Sequence, residues 1–189
     1  MVDIVINENI MNHLGEYDAI IICTNCYQVM RNGFQYEVSK KYQYVLDSNY
    51  KTKYGDISKL GTFIESHKDG MPAFILAFTT FGYNFKGNEE DFFDYDSLGK
   101  CLKAINILYS GKHLASIMIG CNQFDGNADK ERVLKIINDK VKDFDLTIYD
   151  YKQESHGEIR KKEYMKNLKI RYGRNKEKLK HKRDNIKKK

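Results

Sequence analysis

The chain has 189 residues, 41% of them hydrophobic and 31% charged, with a formal charge of +6; that is enough to bury the core of one ordinary domain and leave an appendage. No apolar stretch approaches the roughly 20 residues that a bilayer span needs. The start, MVDIVINENI, has neither a basic n-region nor an apolar h-region, so no membrane partner and no secretion are expected, and an intracellular, cytoplasmic setting follows.

The charge is unevenly divided. Residues 1–151 carry 16 Lys/Arg against 21 Asp/Glu, net −5, and residues 152–189 carry 16 against 5, net +11. This predicts an acidic folded domain over 1–151 and a basic extension over 152–189. The extension is either a solvated tail or an arm placed to meet nucleic acid or another polyanion.

Strands are predicted at Asp3–Asn7 and Asp18–Cys23, the second a continuous apolar run of the kind a doubly covered sheet requires. Phe34, Val38 and Tyr42 then recur at helical spacing. Further strands follow at Gly61–Ser66 and Pro72–Thr79. Leu98, Leu102, Ile105 and Tyr109 form a second helical stripe, with Asp96 or Ser97 as its cap. A strand at Leu114–Gly120, a third stripe of Val133, Ile136, Ile137 and Val141, and a strand at Asp145–Tyr151 complete the pattern. Alternating strands and helices imply a three-layer α/β/α domain with a mixed, mostly parallel sheet and right-handed crossovers. Beyond Tyr151, the residues Ile159, Tyr164, Met165, Leu168 and Tyr172 predict a helix to about residue 172, followed by a disordered Lys-rich end.

Four cysteines, Cys23, Cys26, Cys101 and Cys121, are too few to staple a chain of this length and fit a reducing compartment. Cys23 and Cys26 form a CxxC, but His13, His67, His113 and His156 supply no second ligand pair at zinc spacing. No metal is expected, and the two thiols read as small buried residues at a strand end.

Ligands of such sheets bind outside the carboxyl ends of the strands. Here those ends are TNCYQVMRNG after the second strand and CNQFDGN after the fifth. Each leads into a helix whose N-terminal amides suit an anion, phosphate above all. Gly33, Gly120 and Gly126 permit positive φ and close approach of the main chain to a ligand. Neither GxxxxGK[ST] nor GxGxxG is present, which counts against triphosphate chemistry and a dinucleotide site of the Rossmann type. Asn25 offers two donors and an acceptor to a ribose diol, or else satisfies its own turn.

The segment DAIIICTNCYQVMRNGFQYEVSKKY, with YGDISKLGTF, ILAFTTFGYN, FFDYDSLGKCLKAI, SIMIGCNQFDGNADKERVLKII and DLTIYDY in order after it, resembles the macrodomain family over about residues 2–151. It looks most like small ADP-ribose 1''-phosphate phosphatases and the antitoxin macrodomains that remove ADP-ribose from DNA. The resemblance implies an ADP-ribose site. Asn9 and Ile10 stand where the family has the Asp and Ile of GDI, so Asn9 would accept from the adenine amino group. Asn25 falls on the distal-ribose Asn. Gly33 and Phe34 fall beside the diphosphate, and Gly120, Cys121, Asn122, Phe124, Asp125, Gly126 and Asn127 fall on the second phosphate loop. Tyr149 or Tyr151 would stack on adenine or else pack in the core.

Asn32 replaces the Lys of the antitoxin VMGKG, which removes the basis for lysine-dependent deribosylation. Arg31 replaces a Gly of that loop and either narrows the pocket or offers a guanidinium fork to a terminal phosphate. Asp125 is placed to orient or deprotonate a water, or forms an ordinary Asp-Gly turn. With Asn25 and Asp125 as catalytic residues and no cofactor, the implied activity is hydrolysis of an ADP-ribose derivative such as ADP-ribose 1''-phosphate. The alternative is a non-catalytic reader of ADP-ribose or a related nucleotide, with its basic tail docked on nucleic acid.

Overall fold

The computed structural model describes residues 1–83, 92–121 and 126–151 and positions 161, 164 and 165, and the chain divides into two compact units, Met1–Gln153 and Glu154–Lys189. Of the second unit, Lys161, Tyr164 and Met165 are described, all helical with exposed side chains. The rest of the predicted tail helix and the Lys-rich end lie outside the described residues. Among the described residues no helix is long and apolar enough to cross a membrane.

The first unit runs β1 (Val2–Ile6), two 3-10 turns (Ile10–Asn12 and Leu14–Glu16), β2 (Ala19–Asn25), α1 (Gly33–Lys41), α2 (Gln43–Tyr50), a 3-10 turn (Ile57–Lys59), β3 (Phe63–Ser66), β4 (Ala73–Thr80), α3 (Tyr95–Leu108), β5 (His113–Ile117), α4 (Lys130–Lys140) and β6 (Asp145–Asp150). The sheet order is β1-β6-β5-β2-β4-β3. Every neighbouring pair is parallel except β3 and β4. This is the mixed, mostly parallel sheet that the strand pattern predicts.

Alternation along each central strand sorts side chains between two faces. Ala19, Ile21 and Cys23 of β2, Ile75 of β4 and Ile148 of β6 pack with Leu98 and Leu102 of α3 and Val133 and Ile137 of α4. On the other face Ile20 and Ile22 of β2, Leu76 of β4 and Ala115 and Ile117 of β5 pack with Phe34 and Val38 of α1, Val45 of α2 and Ile10 and Leu14 of the first turns. Burying each of these large side chains contributes about 1.5–3 kcal/mol, which is why both faces must be covered.

Most strand ends shift by one or two residues from the sequence expectations, and four departures have a local reason. The cap of α3 is Asp94, whose carboxylate accepts from Ser97 N at 2.8 Å; Asp96 and Ser97 lie inside the first turn. The stripe through Tyr42 breaks there, because Tyr42 ends α1 and starts α2, whose polar run QYVLDSNY buries only Val45 and Asn49. Strand β2 continues to Asn25 through an irregularity that sets Asn25 opposite Thr80. Strand β5 stops at Ile117, and Met118 keeps one bond to Tyr149 O at 3.0 Å before the chain turns at Gly120.

Candidate functional site

Strands β5 and β2 are paired neighbours, with Ile20 opposite Ala115 and Ile21 opposite Ser116. The chain leaving β2 forms α1 on one face of the sheet, and the chain leaving β5 forms α4 on the other. Their carboxyl ends therefore bound a crevice at the point where the crossovers change face, the position at which such sheets take ligands. The two loops singled out in the sequence follow these two neighbouring strands.

Asn25, 5% exposed, organises the first loop. Its Oδ1 accepts from Tyr27 N at 3.0 Å and Val29 N at 3.2 Å, and its Nδ2 donates to Val29 O at 2.8 Å. Of the two sequence readings of Asn25, the turn-forming one describes these bonds, and one amide hydrogen is left over. Cys26 N reaches Thr80 O and Phe81 O at 3.2 and 3.1 Å, and Cys26 O takes Gly55 N at 2.9 Å, so the loop is stitched to its neighbours.

The loop ends at α1, which Gly33 opens. Its N-cap, Asn32, makes no side-chain capping bond. The positive end of the helix dipole is thus left without a side-chain oxygen from its own cap, which suits an external anion. Arg31 is exposed and Asn32 half-buried beside this end. Phe34 is 0% exposed.

The second loop behaves differently. Asp129 caps α4, its carboxylate accepting from Arg132 N at 2.7 Å; the protein's own anion occupies the end that the sequence reading left for a phosphate. Gly120 (φ 67) and Gly126 (φ 142) do permit close approach, but a Cβ at either would lie 2.3 or 2.9 Å from ring atoms of Phe93. The group approached on that side is a side chain of this protein. Bonds from Ala128 N to Gly120 O and from Phe92 N to Gly126 O, both 3.0 Å, close the turn. Cys121 is half-buried with Sγ 3.2 Å from Ile119 O, and Asn127 holds φ 53. Asn122, Phe124 and Asp125 lie outside the described residues.

Toward β1 and β6, Asn9 caps the first 3-10 turn, Oδ1 accepting from Met11 N at 2.8 Å. That bond fixes the carbonyl expected to face adenine and uses one of its two lone pairs. Ile10 is 0% and Tyr149 3% exposed. Tyr149 shares a 2.7 Å hydrogen bond with Tyr17 Oη, and His13 stacks on its ring at 5.7 Å. Burial, then the Tyr17 hydroxyl, pushes the Tyr149 phenol well above its ordinary range. The Tyr149 ring and hydroxyl are thus engaged by His13 and Tyr17. Tyr151 is half-buried, its hydroxyl has no hydrogen-bond partner among the described residues, and burial raises its phenol too.

Three features had no strong sequence signal. Gln28 holds φ 61. Lys59, 9% exposed, sits with Nζ 3.0 Å from Thr52 Oγ1 and 4.8 Å over the Phe78 ring; burial lowers its pKa. The Tyr27 ring meets Tyr54, Phe81 and Tyr83 edge-on at 5.1, 5.3 and 5.7 Å. Among the described residues no group of three or more His, Cys, Asp or Glu is placed to hold a metal ion.

A three-layer α/β/α domain with its crevice at the β2/β5 tips defines the class of protein. No protein-family model matches the chain, and no curated protein matches it. Solved structures do match. A protein of unknown function from Bacteroides thetaiotaomicron superposes with a TM-score of 0.63 at 19% identity, over 79% of this chain and 98% of that one. The macrodomain of Mycobacterium tuberculosis DarG gives 0.56 at 15% identity, over 79% and 97%. Thermosipho africanus DarTG in complex with ADP-ribose gives 0.58 at 15%, over 78% of this chain and 41% of that one. The chain has the macrodomain fold, and at these identities the likeness is one of fold.

Proposed function

We propose that this protein binds ADP-ribose across the β1/β6, β5 and β2 strand tips and hydrolyses an ADP-ribose derivative such as ADP-ribose 1''-phosphate to ADP-ribose and phosphate. The observation that carries the reading is the start of α1 beside the β2 tip, where the N-cap residue Asn32 makes no capping bond with its own side chain. A diphosphate placed there would meet the positive end of the helix dipole. The Thermosipho protein supports the choice of ligand: it is in complex with ADP-ribose, and 41% of its chain is covered by this fold.

In this reading Asn9 and Ile10 meet the adenine end. The backbone at Asn32, Gly33 and Phe34 holds the diphosphate, with the second loop from Gly120 to Asn127 opposite. Asn25 shapes the first loop and turns its remaining amide hydrogen to the distal ribose. Arg31 pairs with the terminal phosphate, and Asp125 orients the attacking water. Calorimetric titration with ADP-ribose tests binding, and phosphate release from ADP-ribose 1''-phosphate tests turnover. No heat with ADP-ribose would end the reading.

Asn32, in the place of the family's lysine, favours a second reading: a reader that binds ADP-ribose without turning it over, its tail of net charge +11 docking on nucleic acid. Binding without phosphate release selects it. Its tail component requires salt-sensitive nucleic-acid binding that disappears when residues 173–189 are removed.

A further inference from the structure

Gln28 has a left-handed backbone, φ 61, a setting glycine enters freely and a longer residue enters rarely. Its side chain shows what the longer residue adds. Nε2 donates to the carbonyl oxygens of Thr52 and of Tyr50, the latter at 3.2 Å, and lies 3.4 Å from Thr52 Oγ1. All three partners are oxygens, so the NH2 end of the amide must face them. Tyr50 closes α2.

The Asn25 bonds fix the loop only as far as Val29. Met30, 4% exposed, follows, with its carbonyl taking Ser39 Oγ at 3.3 Å. Cys26 ties the start of the loop to Thr80, Phe81 and Gly55; Gln28 adds a link from its middle to the end of α2, 22 and 24 residues away.

We infer that Gln28 is a positioning residue for the anion-binding end of α1: by pinning the β2–α1 loop to the end of α2, it holds the opening amides of the helix in place before a diphosphate arrives. The inference rests on reading that end as a phosphate site. A cradle set in advance spares the ligand the ordering it would otherwise impose, so the gain appears as affinity.

Two substitutions in the full chain separate the tether from the backbone setting. Gln28→Asn tolerates the left-handed conformation but is one methylene too short. Gln28→Glu keeps the length and turns a carboxylate toward three oxygens. Hydrogen exchange of amides 29–36 is measured without ligand, and calorimetry follows ADP-ribose and adenosine, which lacks the diphosphate. Both variants should exchange faster over this segment and bind ADP-ribose about tenfold more weakly, the worth of one oriented polar contact, while adenosine affinity stays at the parental value. Parental exchange rates in Gln28→Asn would overturn the tether. Equal losses for both ligands would overturn the positioning role. If the parent protein fails to bind ADP-ribose, the proposed function falls, and the exchange measurement still decides the tether.

Discussion

Phe93 lies against Gly120 so closely that a Cβ added to the glycine would come within 2.3 Å of its ring. Gly120 also holds φ 67, so a side chain there meets both backbone strain and overlap. Gly120→Ala should cost about 2–4 kcal/mol, read as a lower urea midpoint at unchanged slope. Pairing it with Phe93→Leu should recover part of that loss, because only the overlap is relieved. Full additivity of the two losses would show that ring and glycine are not coupled.

Asn25→Ala deletes three bonds within the first loop, two of which leave amides without their acceptor. It should destabilise the protein by about 1–3 kcal/mol and weaken ADP-ribose binding about tenfold or more. Asn25→Asp keeps the accepting oxygen but sets a carboxylate oxygen against Val29 O, so it should fall between the two. Calorimetry and urea unfolding measure both effects. Parental affinity in Asn25→Ala would remove this residue from the site.

The amino ends of the central strands β2 and β5 give a pH-dependent test. Asp18 Oδ2 accepts from His113 N at 2.9 Å, and this bond, with Lys112 3.4 Å away, holds its carboxyl below the usual value against the raising effect of burial. A depressed folded pKa stabilises above the unfolded value, about pH 4 for Asp, and that stability is lost as pH falls through the folded value. The stability difference between wild type and Asp18→Asn should therefore be constant from neutral pH to about 5 and shrink in more acid solution. A difference independent of pH would mean that the bond does not depend on charge.

Thiol labelling probes the burial pattern. Cys23, Cys26 and Cys101 are buried and Cys121 is half-buried. Desolvation pushes the Cys101 thiol up to about 12 and raises that of Cys26, and only thiolates react readily. Iodoacetamide on the native protein should modify Cys121 first, as read by peptide mass spectrometry. Prior labelling of Cys26 or Cys101 would contradict the packing described here.

The strands and their cover were legible because buried parallel strands must be apolar on both sides: IIIC in β2 and FILAF in β4 admit few other placements. The first loop was legible for a related reason, since an apolar run that stops at Asn25 and passes Gly33 into a helical stripe marks a strand tip. What surrounds the tip was not. Gln28 reaches α2, Phe93 fills the space over Gly120 and Gly126, and Asp129 takes the α4 end that a phosphate was expected to hold. Each depends on a partner that periodicity does not identify.

Tyr149 shows the division most clearly. Periods of two and 3.6 residues are properties of the backbone, so this sequence by itself determined that β6 exists, that its inward residues are apolar and that an aromatic residue stands near its end. Whether that ring faces a ligand or the core depended on Tyr17, 132 residues away in the chain, being brought beside it by strand order. Tertiary structure decided that contact because a hydroxyl leaving water needs a partner, and only the assembled sheet determines which groups are near enough to serve.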